Sequence, residues 1–292
     1  MTASRSLIIA GATGYGAWPA NSLEGALRCL AAPVDGIEID VQMTADDVVV
    51  AHHDYRLNPS ETRLDGKWLS GPSEPLMTMQ LADLKRYDIG RERPHPKYPP
   101  RHPQREEMDN VRIPTLPELL AALKAAAGPR RLLYVEIKTS PQDKDEAPAP
   151  EAIVDAVFRD LEAADYVGHA KIIAFDWRVL RLSRERCPQI RTAHLTIPSA
   201  LRSSIKFDAG GRSLWTDGHD PRDHNGSELR AIVAHGGMEW SPYFTEVTAE
   251  SIAQAGALGL LVGPWGLSSQ DDIRRMQQLG VYCATVSGPD WG

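Results

Sequence analysis

The sequence predicts an α/β protein of the (β/α)8 TIM-barrel class. Three observations carry that expectation. Short apolar runs alternate with helix-period runs, about eight of the runs read as strands, and acidic side chains gather where strands end. A chain of 292 residues suits one such barrel, so a single domain over 1–292 is expected.

The elements follow in order. Ser6–Ala10 reads as a first strand, and Ser22–Ala31 as a helix with Asn21 or Ser22 as its N-cap. Asp35–Met43 and Val48–Ala51 are short apolar runs that read as strands. Further along, strand Leu132–Lys138 precedes helix Ala149–Ala163, and strand Ala170–Asp176 precedes helix Val179–Arg186. Ile190–Thr196 and Glu239–Pro242 are the next strands, and Thr248–Ala257 is helix-like. Leu258–Trp265, helix Gln270–Leu279 and strand Val281–Val286 complete the series. Repeated βα units imply a parallel sheet under covering helices, and counting both early strands favours a closed barrel over an open sheet. The chain stops at Gly292, so a shortened or missing last helix is expected.

One stretch breaks the rhythm. Residues 55–112 are rich in Pro, Arg and His, including Pro94-His95-Pro96 and Pro99-Pro100-Arg101-His102-Pro103, and only Met79–Tyr87 looks helical. An excursion that long from a βα loop is an active-site cover or a flexible insert, and the cover is favoured.

Bulk properties narrow the function. Hydrophobic content of 42% and charged content of 24% are ordinary for a globular protein. A net charge of −7 argues against a nucleic-acid surface, which needs a basic stripe. An anionic small-molecule substrate stays open, because a bound divalent cation can dominate the local field. Cys29, Cys187 and Cys283 are odd in number and widely spaced, so they imply neither disulfides nor a zinc site. Leu7–Ala10 is too short for a signal-peptide core, and no apolar run is long enough to span a membrane. A cytoplasmic location is the default expectation; the oligomeric state is not legible.

The chemistry concentrates in Glu38-Ile39-Asp40 and His52-His53-Asp54. Residues two apart on a strand share a face, so Glu38 and Asp40 project together, about 7 Å apart. Such carboxylates repel unless a cation lies between them. A histidine on the next strand adds a group that titrates near neutrality. Glu136-Ile137-Lys138 repeats the strand-borne acid and adds an ammonium. Together they suggest metal-assisted chemistry on a phosphate.

These motifs, in order, resemble the glycerophosphodiester phosphodiesterase family. The resemblance runs through Val34–Val41, Thr44 and Val48–Asp54, then Leu57-Asn58-Pro59, Thr62-Arg63, Ile113–Leu116 and Val135–Lys138. It continues through Phe175–Arg178, Trp240-Ser241-Pro242 and Val262–Trp265, nearly the whole chain. The resemblance implies a (β/α)8 barrel with an insertion after the early strands. It implies that Glu38, Asp40 and Glu136 ligate a divalent metal, Mg²⁺ or Ca²⁺, that His53 is a catalytic histidine, that Lys138 contacts phosphate and that Trp265 forms an aromatic wall. The implied reaction cleaves a glycerophosphodiester to glycerol phosphate and an alcohol, with histidines moving the protons.

The chain also departs from the family pattern. Where the family carries His-Arg-Gly after the first strand, alignment through Pro19 and Asn21 places Gly11 at the histidine and Ala12 at the arginine; the glutamate of the next motif is Ala20. A positioned proton-transfer group contributes on the order of 10²–10⁴ in rate. His52 is a tempting substitute, but strand alternation would turn it away from His53. Tyr15, His95 and His102 are the other candidates. Near the end, Val286-Ser287-Gly288-Pro289-Asp290 stands where the family carries Thr-Asp before Pro-Asp. The expected function is therefore metal-dependent hydrolysis, weakened or altered. The alternatives are a catalytically silent binder of phosphodiesters or phosphosugars, and a lyase that stops at a cyclic phosphate.

Other signals are weaker. Gly11-Ala12-Thr13-Gly14-Tyr15-Gly16 lacks the glycine spacing of a dinucleotide-binding turn and reads as a loop stripped of larger side chains. His219-Asp220 and Asp223-His224 lie between Gly218 and Gly226 in a polar stretch and read as a solvated loop. Trp215 and Trp240 read as packing residues.

Overall fold

A computed structural model of the chain describes residues 5–94, 97, 102–126, 128–198, 201 and 212–288. His95 and Pro289-Asp290, singled out above, lie outside the described residues. The strands are β1 (Leu7–Ala10), β2 (Gly36–Met43), β3 (Val49–Ala51), β4 (Arg63–Leu64), β5 (Lys67–Trp68) and β6 (Tyr87–Asp88). Then come β7 (Leu132–Ile137), β8 (Ala170–Ala174), β9 (Arg191–Thr196), β10 (Glu239–Pro242), β11 (Leu261–Val262) and β12 (Cys283–Val286).

Eight of these form the barrel, neighbours in the order β11, β10, β9, β8, β7, β2, β1 and β12, all paired in parallel. The barrel closes between its last two strands, where the Tyr282 amide donates to the Val262 carbonyl at 2.8 Å and the Thr285 amide to Pro264 at 2.9 Å. Helices cover the outside, and every residue of β2 is buried, as expected of a strand packed on both faces.

The alternation of side chains builds two apolar layers. Ile8, Ile37, Ile39, Val135 and Ile172 point outward and pack under the helices with Leu120, Phe158, Leu161 and Trp177. Ile9, Tyr134, Ile173, Leu195 and Cys283 fill the lumen. Below the site, the fully buried Lys171 ammonium meets both Glu239 oxygens at 2.6 and 2.7 Å and the Tyr134 hydroxyl at 3.0 Å. Pairing and hydrogen bonding offset the cost of burying that ammonium.

The structure corrects several expectations. Val49–Ala51 is not a barrel strand. It folds back antiparallel on β2, with Val41 opposite Ala51, through a turn in which Asp47 is left-handed at φ 57°. Only Leu81–Leu84 of the expected Met79–Tyr87 helix is helical, and the strand expected over Leu258–Trp265 shortens to Leu261–Val262. Among the described residues, two helices are additional, Leu116–Ala125 and Glu228–Ala234. The first starts on a capping box in which Thr115 and Glu118 satisfy each other's backbone amides. Within 55–112, β4 pairs antiparallel with β5 and β6 over a cluster of Leu57, Leu76, Leu84, Ile89, Val111 and Ile113. No helix among the described residues is long and apolar enough to cross a membrane.

Candidate active site

The site is built where β2 and β7 end side by side. Their register sets Asp40 directly opposite Glu136, with Glu38 one inward position earlier on β2. One ligand oxygen from each of the three lies within 4.8 Å of the others, and all three side chains are buried. Like charges facing each other across a strand pair are unfavourable without compensation. Lys138, just past β7, supplies part of it: its ammonium meets Asp40 Oδ1 at 2.9 Å and also bonds Glu136 Oε1.

The loop after β1 supplies the rest of the frame. Ala12 adopts a left-handed backbone at φ 44° and donates its amide to Glu38 Oε2 at 2.7 Å. Asn21, also left-handed at φ 50°, donates through Nδ2 to Asp40 Oδ2 at 2.8 Å and accepts from the Asp40 amide at 2.9 Å. Non-glycine residues in this region carry about 1–2 kcal/mol of strain, spent here on gripping two carboxylates. Gly16 allows the loop to pack against the end of the neighbouring strand β12: its amide donates to Ser287 O at 2.6 Å, and a Cβ there would sit 2.3 Å from that oxygen.

The β2–β3 hairpin returns the chain to the same place. The His52 amide donates to Asp40 O at 3.0 Å, so the histidines stand beside the β2 carboxylates they follow by a hairpin. Alternation does not carry past Ala51, and His52 and His53 border the same cavity. The His52 Nε2 is buried without a hydrogen-bond partner. His53 keeps 65% of its side chain exposed, and its Nδ1 lies 2.7 Å from Asp54 Oδ1. A proton on Nδ1 shared with Asp54 leaves Nε2 to exchange protons with a ligand.

Electrostatics mark the cluster as short of positive charge. Burial, and then the Asp40 and Glu136 carboxylates, push Glu38 well above the usual range. Burial also raises Glu136, against the pull of Lys138. Burial would raise Asp40 too, but Lys138, His53 and Asn21 hold it well below its ordinary value. Lys138 is driven up by the same acids despite its burial. For His53, the nearby Lys138 and burial oppose protonation, while Asp40, Asp54 and Glu136 prevail and raise it. One ammonium cannot balance three buried carboxylates, and Glu38 Oε1 has no hydrogen-bond partner. An orphaned carboxylate oxygen in an all-oxygen donor set fits a hard divalent cation.

The surrounding cavity measures about 470 Å³ and includes Glu38, Asp40, Glu136, His53, Lys138 and Trp265. The six residues expected from the sequence are thus brought together. Gly11, Ala12 and Ala20 form part of its wall. A neighbouring cavity of about 510 Å³ shares His53, Glu136, Lys138, Phe175 and Trp265. Trp265 is fixed by its indole N–H on Thr196 O at 3.1 Å and by edge contacts with Phe175 and Tyr243.

A family model, the glycerophosphoryl diester phosphodiesterase family, matches residues 11–290. The chain belongs to that family. It is therefore a phosphoric diester hydrolase by family, in a family that uses a divalent metal. Among solved structures it is similar to a glycerophosphoryl diester phosphodiesterase homologue of Silicibacter pomeroyi, at 30% identity and TM-score 0.84, over 98% of this chain and 91% of that one. A homologue from Agrobacterium tumefaciens matches at 21% identity and TM-score 0.72, over 98% and 95%. An Oleispira antarctica phosphodiesterase, solved with its product sn-glycerol-3-phosphate, shares the fold at 17% identity and TM-score 0.67, over 98% and 94%. No curated protein matches the chain.

Membership in the phosphodiesterase family also sorts the remaining signals. Among the described residues, Glu38, Asp40 and Glu136 are the cluster arranged to hold a metal. The His219–His224 stretch is not: Asp220 is bound by Arg222 and the Ser213 amide, and Asp223 by Arg212. Sequence reasoning missed two members of the site. Asn21 was read as a possible cap and as an alignment point, not as the partner of Asp40; the cap is Ser22, which accepts from Gly25 N. Arg105, on the wall of the cavity, carries no sequence signal that separates it from its neighbours in an arginine-rich segment.

Proposed function

We propose that the protein hydrolyses a glycerophosphodiester to glycerol phosphate and an alcohol, with Mg²⁺ or Ca²⁺ held by Glu38, Asp40 and Glu136. The observation that carries this reading is the buried three-carboxylate cluster whose Glu38 Oε1 lacks any partner, beside His53, in a chain of this family. The bound cation would neutralise phosphate charge and polarise the phosphorus. Asn21 and the Ala12 amide orient the ligand oxygens, Lys138 offers its ammonium to the phosphate, and His53, aligned by Asp54, moves the proton. Tyr55, Phe175, Trp215 and Trp265, around the neighbouring cavity, suit the alcohol substituent. The test is release of glycerol 3-phosphate from glycerophosphocholine with Mg²⁺ or Ca²⁺, and its fall by about 10²–10⁴ in His53→Ala. No release with either metal from folded protein would sink the proposal.

One observation favours a second reading. Gly11 and Ala12 leave the cavity without a proton-transferring or cationic side chain where the resemblance places a histidine and an arginine. A silent phosphodiester-binding protein would bind glycerophosphodiesters by calorimetry without turnover. A cyclic-phosphate product seen by phosphorus NMR would instead identify a lyase.

A further inference from the structure

The arginine absent from the β1 loop has a counterpart delivered from another part of the chain. Arg105 lies in the 55–112 segment, yet its side chain is only 3% exposed and lines the cavity that contains the carboxylate cluster. Its Nε and Nη1 are buried without hydrogen-bond partners. Its nearest acid, Glu61, stands 3.9 Å from Nη1, beyond hydrogen-bonding reach. Arg63, whose Nε is likewise buried without a partner, differs in that its Nη2 bonds both Asp88 and Asp109 at 2.6 and 2.7 Å. A guanidinium withdrawn from water with open donors is costly unless a ligand completes it.

The chain holds Arg105 there deliberately tightly. The Arg105 amide donates to His102 O at 3.0 Å, the Glu106 amide to Ala17 O at 2.9 Å, and the Met108 amide to Gly90 O at 2.9 Å. Gly90 must lack a side chain, since a Cβ would fall 2.2 Å from Met108 O. Arg28 adds an ion pair with Glu106 from the first helix. These contacts dock the segment on the β1 loop and lay the guanidinium 5.7 Å from the ring of Tyr15. Tyr15 is itself bonded to Gly11, its amide donating to Gly11 O at 3.1 Å. The guanidinium, Tyr15 and the Gly11-Ala12 corner thus line one cavity.

We infer that Arg105 binds a phosphate oxygen of the ligand, supplying from the inserted segment the cation that the β1 loop lacks. The planar fork suits two parallel bonds to phosphate oxygens, and Tyr15 braces its face. The inference rests on the proposed phosphodiester reading but is separable from it, because it concerns binding of the phosphate and not turnover.

The test is titration calorimetry of the full chain with sn-glycerol 3-phosphate, and separately inorganic phosphate, at saturating Mg²⁺. In Arg105→Ala both should bind on the order of ten- to hundredfold more weakly, with the Mg²⁺ affinity and melting temperature unchanged. Adding Ala12→Arg to that variant should restore much of the lost affinity, which a merely structural arginine would not permit. Arg105→Lys keeps the charge without the fork, and should weaken binding several-fold even if the alanine variant does not fold. Unchanged affinity in Arg105→Lys or Arg105→Ala overturns the inference, as does wild-type protein that binds neither probe. Binding that depends on Arg105 in a protein without turnover supports it while refuting the hydrolase reading.

Discussion

Asn21 and Asp40 grip each other twice, side chain to side chain at 2.8 Å and backbone amide to side chain at 2.9 Å. The pair joins the loop after the first barrel strand to the second, and fixes one carboxylate of the acidic cluster. Asn21→Ala should therefore cost divalent-cation affinity about tenfold or more, and stability by about 1–3 kcal/mol because a buried amide loses its acceptor. Calorimetry with Mg²⁺ and Ca²⁺, and urea unfolding in EDTA, read the two effects separately. Unchanged values in both would show that the pair is not what holds Asp40.

The three carboxylates predict opposite effects with and without metal. Glu38→Gln removes a charge that burial and its neighbours disfavour, so in EDTA the variant should melt no lower than wild type. With Mg²⁺ or Ca²⁺ the wild type should gain about 2.7 kcal/mol at a hundredfold excess over Kd, and the variant much less. Melting curves with and without chelator decide the matter. An equal gain in both proteins would remove Glu38 from the ligand set.

Gly11 and Ala12 predict a gain of function. A Cβ on Gly11 would stand 3.2 Å from Thr285 Cγ2 and 3.3 Å from Ser287 Oγ, close contacts with side-chain atoms that can adjust. Ala12 already holds its left-handed backbone with a side chain. Gly11→His/Ala12→Arg should therefore fold, and should raise kcat on glycerophosphodiesters by about 10² or more. A folded, ligand-binding variant without that gain would place the deficit elsewhere, with Ser287 the nearest candidate.

Acid sensitivity should come from outside the site. His235 is buried beside Trp177, its Nδ1 2.9 Å from His194 Nε2, with Arg184, His219 and Asp217 around it. Burial, then Arg184, lower it to about 4, against the opposing Asp217. Burial, and then His235 and Arg184, also hold His194 well below its ordinary value. A depressed histidine contributes stability that is fully present above its unfolded value of about 6.5 and is lost as pH falls toward the folded value. Urea unfolding should thus show a loss on the order of 2 kcal/mol between pH 7 and pH 5. The same scan on His235→Gln should be flatter; an equally steep scan would assign the loss to other groups.

The sequence by itself determined the barrel and its cluster of buried acids. Period-two alternation decides which side chains enter the lumen, so Glu38, Asp40 and Glu136 were legible as a set once Leu132–Ile137 was read as a neighbouring strand. Helix Leu116–Ala125 was missed, because apolar spacing alone passes over it; its signal was the capping box of Thr115 and Glu118. Tertiary structure decided the rest. An apolar triplet such as Val49–Ala51 has the same pattern whether it joins a barrel or folds back as a hairpin, and only the turn at Asp47 sends it back. That return sets both His52 and His53 at the cavity, where strand alternation would have separated them. Arg105 is the clearest case. It is distant in sequence from every other member of the site, and reaches it only because the 55–112 segment docks on the β1 loop through the Glu106–Ala17 bond and the close approach at Gly90. Local patterns fix which way a side chain faces along its own strand; they carry no record of which distant loop will close over it.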